Sequence, residues 1–261
     1  RAAAVGAFRR LGGHSGVGVL VALATFGLMT YYFPVIGWVI YYFGHALAGT
    51  FFQEGFAAGA AWEAFKADPQ LKLATHTLAV LLAGIPLYYG VARGIERASL
   101  FMVPVFFVAL VVVAVRALTL SAAEAGLAYL FTPEWGQLAD PGVWVAALGQ
   151  ALFSTGLGWG IALTLGSYLG AADDIPLGAG VFTAVGNTSI GVLAGLAVLP
   201  TVFAFGLDPA SGPELVFLAL PQIFPEMAGG YLWSLVFFIG FLFAALTSGF
   251  AITEVPVAAY R

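Results

Sequence analysis

The stretch at 142–170 reads GVWVAALGQALFSTGLGWGIALTLGSYLG and carries polar and small residues in the middle of an apolar run. Ser154 and Thr155 are followed by Gly156, Gly158 and Gly160 at alternate positions. Each glycine costs a helix interior about 1 kcal/mol relative to alanine, so the spacing predicts a break rather than a continuous helix. In lipid a break survives only where it is buried in protein or lines a wet cavity, because unpaired backbone groups find no water there. Two half-helices then meet head to tail. Carbonyls freed at the break can coordinate a hard cation, and N–H groups freed at the start of the second half-helix can hold a carboxylate. The competing reading is close helix packing through small residues. Gln150, one turn before Ser154, and the hydroxyls beside the break favour a site.

Other residues could serve the same chemistry. Ala244, Thr247 and Ser248 fall at i, i+3 and i+4 and share one helix face. Two hydroxyls and a carbonyl suit Na+, which takes oxygen ligands as other hard cations do; back-bonding of Thr and Ser to their own helix is the alternative. Asn187, beside Thr188 and Ser189, offers an amide carbonyl to an ion or a hydrogen bond to another helix. Tyr32 has Leu28 one turn earlier on its face, and its hydroxyl could donate to a bound carboxylate or simply pack. Glu254 lies seven residues after Thr247. An acid inside a span marks function by default, but near a span's end it can also be solvated. His14, His45 and His76 are dispersed without metal-ligand spacing. Ser154 has no evident base, so no enzyme is expected.

These residues need elements that hold them inside a membrane. The chain has 261 residues, of which 61% are hydrophobic and 8% charged; Lys plus Arg number 9 against 13 Asp plus Glu, a net charge of −4. Soluble domains carry roughly 25% charged residues. That composition excludes a soluble enzyme, a disordered chain and a nucleic-acid-binding domain, and with no Cys there is no disulfide or thiolate chemistry. A helix crossing about 30 Å of hydrocarbon needs about 20 apolar residues. Six such spans are predicted near 15–44, 73–91, 98–120, 142–170, 178–204 and 231–258, making an all-α polytopic membrane protein with residues 1–261 as one membrane domain. Arg1, Arg9, Arg10, Arg93, Arg97 and Arg261 fall on one side, against Lys66, Lys72 and Arg116 on the other. The positive-inside rule makes the arginine side cytoplasmic, with both termini there; the Asp173–Asp174 loop on that side adds nothing to the bias. The long outer loops at 45–72, 121–141 and 205–230 are expected to hold short helices capping an outer vestibule.

Taken together, these residues resemble the neurotransmitter:sodium symporter family, the leucine-transporter type, over the whole chain. Four stretches carry the resemblance, in order and spacing: LMTYYFPVIGW at 28–38, RGIERAS at 93–99, TPEWGQLADPGVWVAALGQALFSTGLGWG at 132–160 and FLFAALTSGFAITEVPVAAY at 241–260. They are similar to the family's third helix, its basic inner loop, its broken sixth helix and its eighth. The family is built on inverted repeats with discontinuous helices at the midplane. The resemblance implies Na+-coupled symport of an amino acid across the cytoplasmic membrane by alternating access. It implies that Tyr32 bonds the substrate carboxylate, and that Leu28, Phe153, Trp159 and Ile252 surround the substrate side chain. Phe153 would also form part of an outer lid. The unwound backbone from Ser154 through Gly156 to Gly158 would hold the amino group and the ion, with Ser248 beside it. Two Na+ sites are implied, one from Ser154 and Asn187 with the substrate carboxylate, the other from Ala244, Thr247 and Ser248.

Some positions depart from the family pattern. The resemblance puts Gly156 and Gly249 at pocket-lining positions where many relatives carry a hydroxyl or a larger group, and the room this leaves predicts a bulky hydrophobic or aromatic amino acid; Trp159 refills part of it. Gly191, four residues after Asn187, offers neither hydroxyl nor acid, so chloride dependence stays open. Only the third to eighth helices are matched, out of about eleven or twelve in these broken-helix transporters. The chain is therefore expected to be an incomplete portion that does not transport alone. Its partners are the missing helices, the lipid bilayer and a small-molecule amino acid, with a homodimer also allowed and no nucleic acid. The rival reading is a non-transporting membrane receptor or assembly component.

Overall fold

The protein is described by a computed structural model covering residues 4–10, 14–90, 94–169 and 177–260. Arg1, Arg93, Arg261 and the Asp173–Asp174 loop, on which part of the orientation rests, lie outside the described residues. No strand occurs among the described residues. With no water to bond, apolar backbone in a bilayer closes its hydrogen bonds within the helix.

The helices run in chain order as α1 (Ala4–Arg10), α2 (Ser15–Leu47), α3 (Ala58–Ala67), α4 (Pro69–Tyr89), α5 (Glu96–Ala117) and α6 (Ala123–Phe131). They continue as α7 (Pro141–Thr155), α8 (Ile161–Gly166), α9 (Leu177–Ala204), α10 (Leu215–Ile223) and α11 (Gly230–Tyr260). By length and composition five can cross a membrane: α2, α4, α5, α9 over Gly180–Ala204, and α11. The expected span at 142–170 is present as two pieces, α7 and α8. Boundaries move by a few residues for local reasons. α4 starts at Pro69, earlier than 73, because the Asp68 carboxylate caps it, accepting from Gln70 N at 2.9 Å and Leu71 N at 3.0 Å. It stops at Gly90, whose φ is 84°.

The chain divides into two compact units. One comprises Pro34–Thr132 and Ile190–Thr247. Its core is aromatic: Tyr42, Phe217, Phe224 and Phe238 are fully buried. The Trp62 ring of α3 stacks on Phe217 of α10 at 5.9 Å, and Phe217 lies 4.9 Å from Tyr42. Tyr42 Oη donates to Ala58 O at 3.4 Å. Burying such rings is worth about 1.5–3 kcal/mol each, enough to fix the short helices of the loops 45–72 and 205–230. Elsewhere large apolar side chains face outward, Leu81 and Leu100 among them, as lipid-facing helices require.

The other unit comprises residues 1–33, 133–189 and 248–261. It contains the interrupted span, the beginning of α2 and the end of α11. Glu254, for which a solvated helix end was one expectation, is only 2% exposed. Tyr168, just past α8, donates its hydroxyl to Glu254 Oε1, so the acid is enclosed rather than solvated.

Candidate functional site

α7 opens with Pro141 at a position where a missing N–H is harmless, and the Asp140 carboxylate accepts from Gly142 N at 2.8 Å. The helix runs to Thr155 and ends at Gly156, whose φ of 71° and ψ of 8° are left-handed. Leu157–Trp159 form one tight turn, and Gly160, with φ 70° and ψ 6°, leads into α8. L side chains are strained in that region, so the break needs glycine at these two positions. Gly158 has no positive φ, and a Cβ there would meet Leu152 Cβ at an ordinary 3.5 Å.

The turn is held from outside. Thr25 is fully buried, and its hydroxyl lies 2.7 Å from Trp159 O and 2.8 Å from Val21 O. The Trp159 carbonyl, which lies in the break between the two half-helices, thus obtains a donor. Thr25→Val keeps the shape and removes that donor. It should lower stability by about 1–2 kcal/mol, read as an earlier melting transition of the detergent-solubilised protein.

Around the break lies a cavity of about 260 Å³. Leu28 and Tyr32 of α2 line it, with Phe153, Ser154, Thr155, Gly156, Trp159 and Ile161 around the break, and Ser248, Ala251 and Ile252 of α11. Tyr32 and Ser248 share a side-chain hydrogen bond. Phe153 and Trp159 meet edge to face, centroids 6.5 Å apart. The sequence-derived residues Leu28, Tyr32, Phe153, Ser154, Gly156, Trp159, Ser248 and Ile252 are thus brought together. Gly158 belongs to the break but does not line the cavity. Gly249 does not line it either; its carbonyl accepts from Thr253 Oγ1 at 2.7 Å. Thr155, one of the hydroxyls beside the break, lines the cavity too, and Ile161 and Ala251 are lining residues that sequence reasoning missed. Ala251 could have been found, three residues after Ser248 on the same helix face. Ile161 carried no distinguishing signal.

Asn187 Nδ2 donates to Ser154 Oγ at 3.1 Å, across 33 residues of sequence. Turning the amide about its terminal bond would present the carbonyl oxygen to Ser154 instead. On α11, Thr247 Oγ1 donates to Ala244 O at 2.9 Å. That bond uses the hydroxyl proton and leaves oxygen lone pairs to serve as ligands. Tyr32 is the only titratable side chain among the described residues lining the cavity. Hydroxyls, open backbone and an apolar wall suit holding a zwitterion with an apolar side chain.

The profile of the Sodium:neurotransmitter symporter family matches residues 51–261. The chain belongs to this family. It is 35% identical over 236 residues to the uncharacterized sodium-dependent transporter YhdH of Bacillus subtilis (strain 168), covering 90% of this chain and 52% of that protein. An uncharacterized sodium-dependent transporter of Haemophilus influenzae is 32% identical over 251 residues, covering 94% of this chain and 54% of that protein. The chain thus spans about half the length of the curated relatives it matches. The crystal structure of MhsT in complex with L-phenylalanine superposes with a TM-score of 0.93 at 36% identity, covering 99% of this chain and 59% of MhsT. The fold is accordingly part of the symporter fold of this family, as the broken span and the helix order required.

Proposed function

We propose that the protein is part of a Na+-coupled symporter that carries an amino acid with a bulky apolar side chain across the cytoplasmic membrane by alternating access. The observation that carries this reading is the cavity at the broken span, where open backbone, the Tyr32–Ser248 pair and an apolar wall converge. Tyr32 donates to the substrate carboxylate. Leu28, Phe153, Trp159 and Ile252 enclose the substrate side chain, and backbone groups around Ser154, Gly156 and Gly158 receive the amino group. Ser154 and Asn187 contribute to one Na+ site together with the substrate carboxylate. Ala244, Thr247 and Ser248 contribute to a second.

The apolar lining supports the substrate class, as does the likeness to MhsT, whose crystal structure is in complex with L-phenylalanine. The earlier ground, that glycine at 156 leaves extra room, does not hold. A Cβ at Gly156 would lie 3.2 Å from Ile161 Cδ1, so the isoleucine already fills that space. The remaining helices of the longer transporter complete both ion sites, with both ends of this segment on the cytoplasmic side.

The test is uptake of labelled phenylalanine by the full-length protein in proteoliposomes. An inward Na+ gradient should drive accumulation, and replacing Na+ by K+ should abolish it. Undiminished uptake in K+ would overturn the reading.

A further inference from the structure

We infer that Ile161 sets which amino-acid side chains the cavity accepts; the inference rests on the symport reading above. The wall at the break cannot be supplied by residue 156. Gly156 has a φ of 71°, where an L side chain is strained. The space a side chain would take there holds Ile161 instead, with Cδ1 at 3.2 Å, Cβ at 3.4 Å and Cγ2 at 3.7 Å from the Cβ position. Ile161 is also the first residue of α8, directly after the second left-handed glycine. A β-branched side chain in a helix has essentially one χ1 rotamer. The wall is therefore stiff, and its position is fixed by the backbone turn at Gly160 rather than by the substrate.

The other lining groups are less suited to this role. Tyr32 and Ser248 are engaged with each other, and Phe153 and Trp159 form a ring pair whose members brace one another. Ala251 is too small to discriminate. Leu28 and Ile252 are aliphatic lining residues as well, but they lie on the other helices that border the cavity; Ile161 is half-buried and is the aliphatic side chain seated at the break itself, where its volume can change without touching a hydrogen bond.

The experiment measures competition by leucine, phenylalanine and tryptophan against labelled phenylalanine, on the full-length protein in proteoliposomes with Na+ present. The unmodified protein is compared with Ile161→Ala, Ile161→Val and Ile161→Phe. A methylene more or less in an apolar pocket changes discrimination by about tenfold or more. Ile161→Val should therefore raise the affinity for tryptophan relative to leucine by about tenfold, Ile161→Ala should shift the ratio further in the same direction, and Ile161→Phe should reverse it. The conservative valine variant carries the test if the alanine or phenylalanine variant fails to fold. An unchanged ratio, or an equal loss for all three amino acids, would overturn the inference while Na+-driven uptake persists, leaving the symport reading intact. Absence of amino-acid binding in the unmodified protein would overturn that reading and the inference with it.

Discussion

Gly156→Ala should weaken amino-acid binding by about 30-fold, while Gly158→Ala should weaken it by no more than a few-fold. Both changes add one methyl group to the same broken segment, two residues apart. Gly156 sits at φ 71°, and an L residue there costs about 1–2 kcal/mol. The added Cβ would also press on Ile161, 3.2 Å from its Cδ1, tighter than ordinary contact. The break can relax in the empty protein by shifting Ile161 or the turn, but both line the cavity. Restoring the binding geometry then costs the strain again, and about 2 kcal/mol corresponds to roughly 30-fold in affinity. Gly158 has no positive φ, and its Cβ would meet Leu152 Cβ at 3.5 Å. Equilibrium binding of labelled phenylalanine to the full-length protein gives both values. Equal losses at the two positions would show that the break tolerates side chains wherever they fall and that its left-handed turn is unrelated to binding.

The contrast between these glycines marks the limit of what the residues could tell in advance. Three glycines at alternate positions indicate an interrupted helix because each weakens it. Which of them turns the chain depends on the backbone path, and that is not written in composition. Gly156 and Gly160 take left-handed angles, and Gly158 does not. The spans themselves were readable because hydropathy and length directly reflect the thickness of the bilayer. Their ends were less so, since caps such as Asp68 extend a helix past its apolar run.

Contacts between distant residues were the least accessible. Asn187 and Ser154 are 33 residues apart, and Tyr168 and Glu254 are 86 apart. No spacing within one helix pairs them; for the first pair, only the family resemblance brought the two residues together. Glu254 illustrates the cost of reading position alone. Near a helix end it could be wet, yet the Tyr168 hydroxyl turns toward it and encloses it. The expectation that Gly249 lines the cavity failed for a simpler reason. It follows Ser248 by one residue, which rotates it about 100° around the helix, away from the face that Ser248, Ala251 and Ile252 present to the cavity.

Asn187→Leu should weaken Na+ binding at least tenfold and, at limiting Na+, weaken amino-acid binding with it. In the proposed first ion site the amide carbonyl of Asn187, the Ser154 hydroxyl and the substrate carboxylate meet at one cation. Leucine keeps the volume and removes the oxygen. It also removes the 3.1 Å hydrogen bond to Ser154 Oγ, which leaves the hydroxyl only its longer 3.4 Å bond to Ala151 O. Because the cation and the carboxylate touch, each raises the other's affinity, and the factor must be the same in both directions. Couplings of this kind run to about 1–3 kcal/mol. Two titrations then separate the effects in the full-length protein: Na+ binding with and without phenylalanine, and phenylalanine binding at low and at saturating Na+. With the amide intact, the two ratios should agree. In Asn187→Leu, saturating Na+ should restore much of the phenylalanine affinity, because the lost ligand weakens the ion rather than the apolar wall. If phenylalanine binding fell by the same factor at every Na+ concentration, Asn187 would serve the cavity's packing and not the ion.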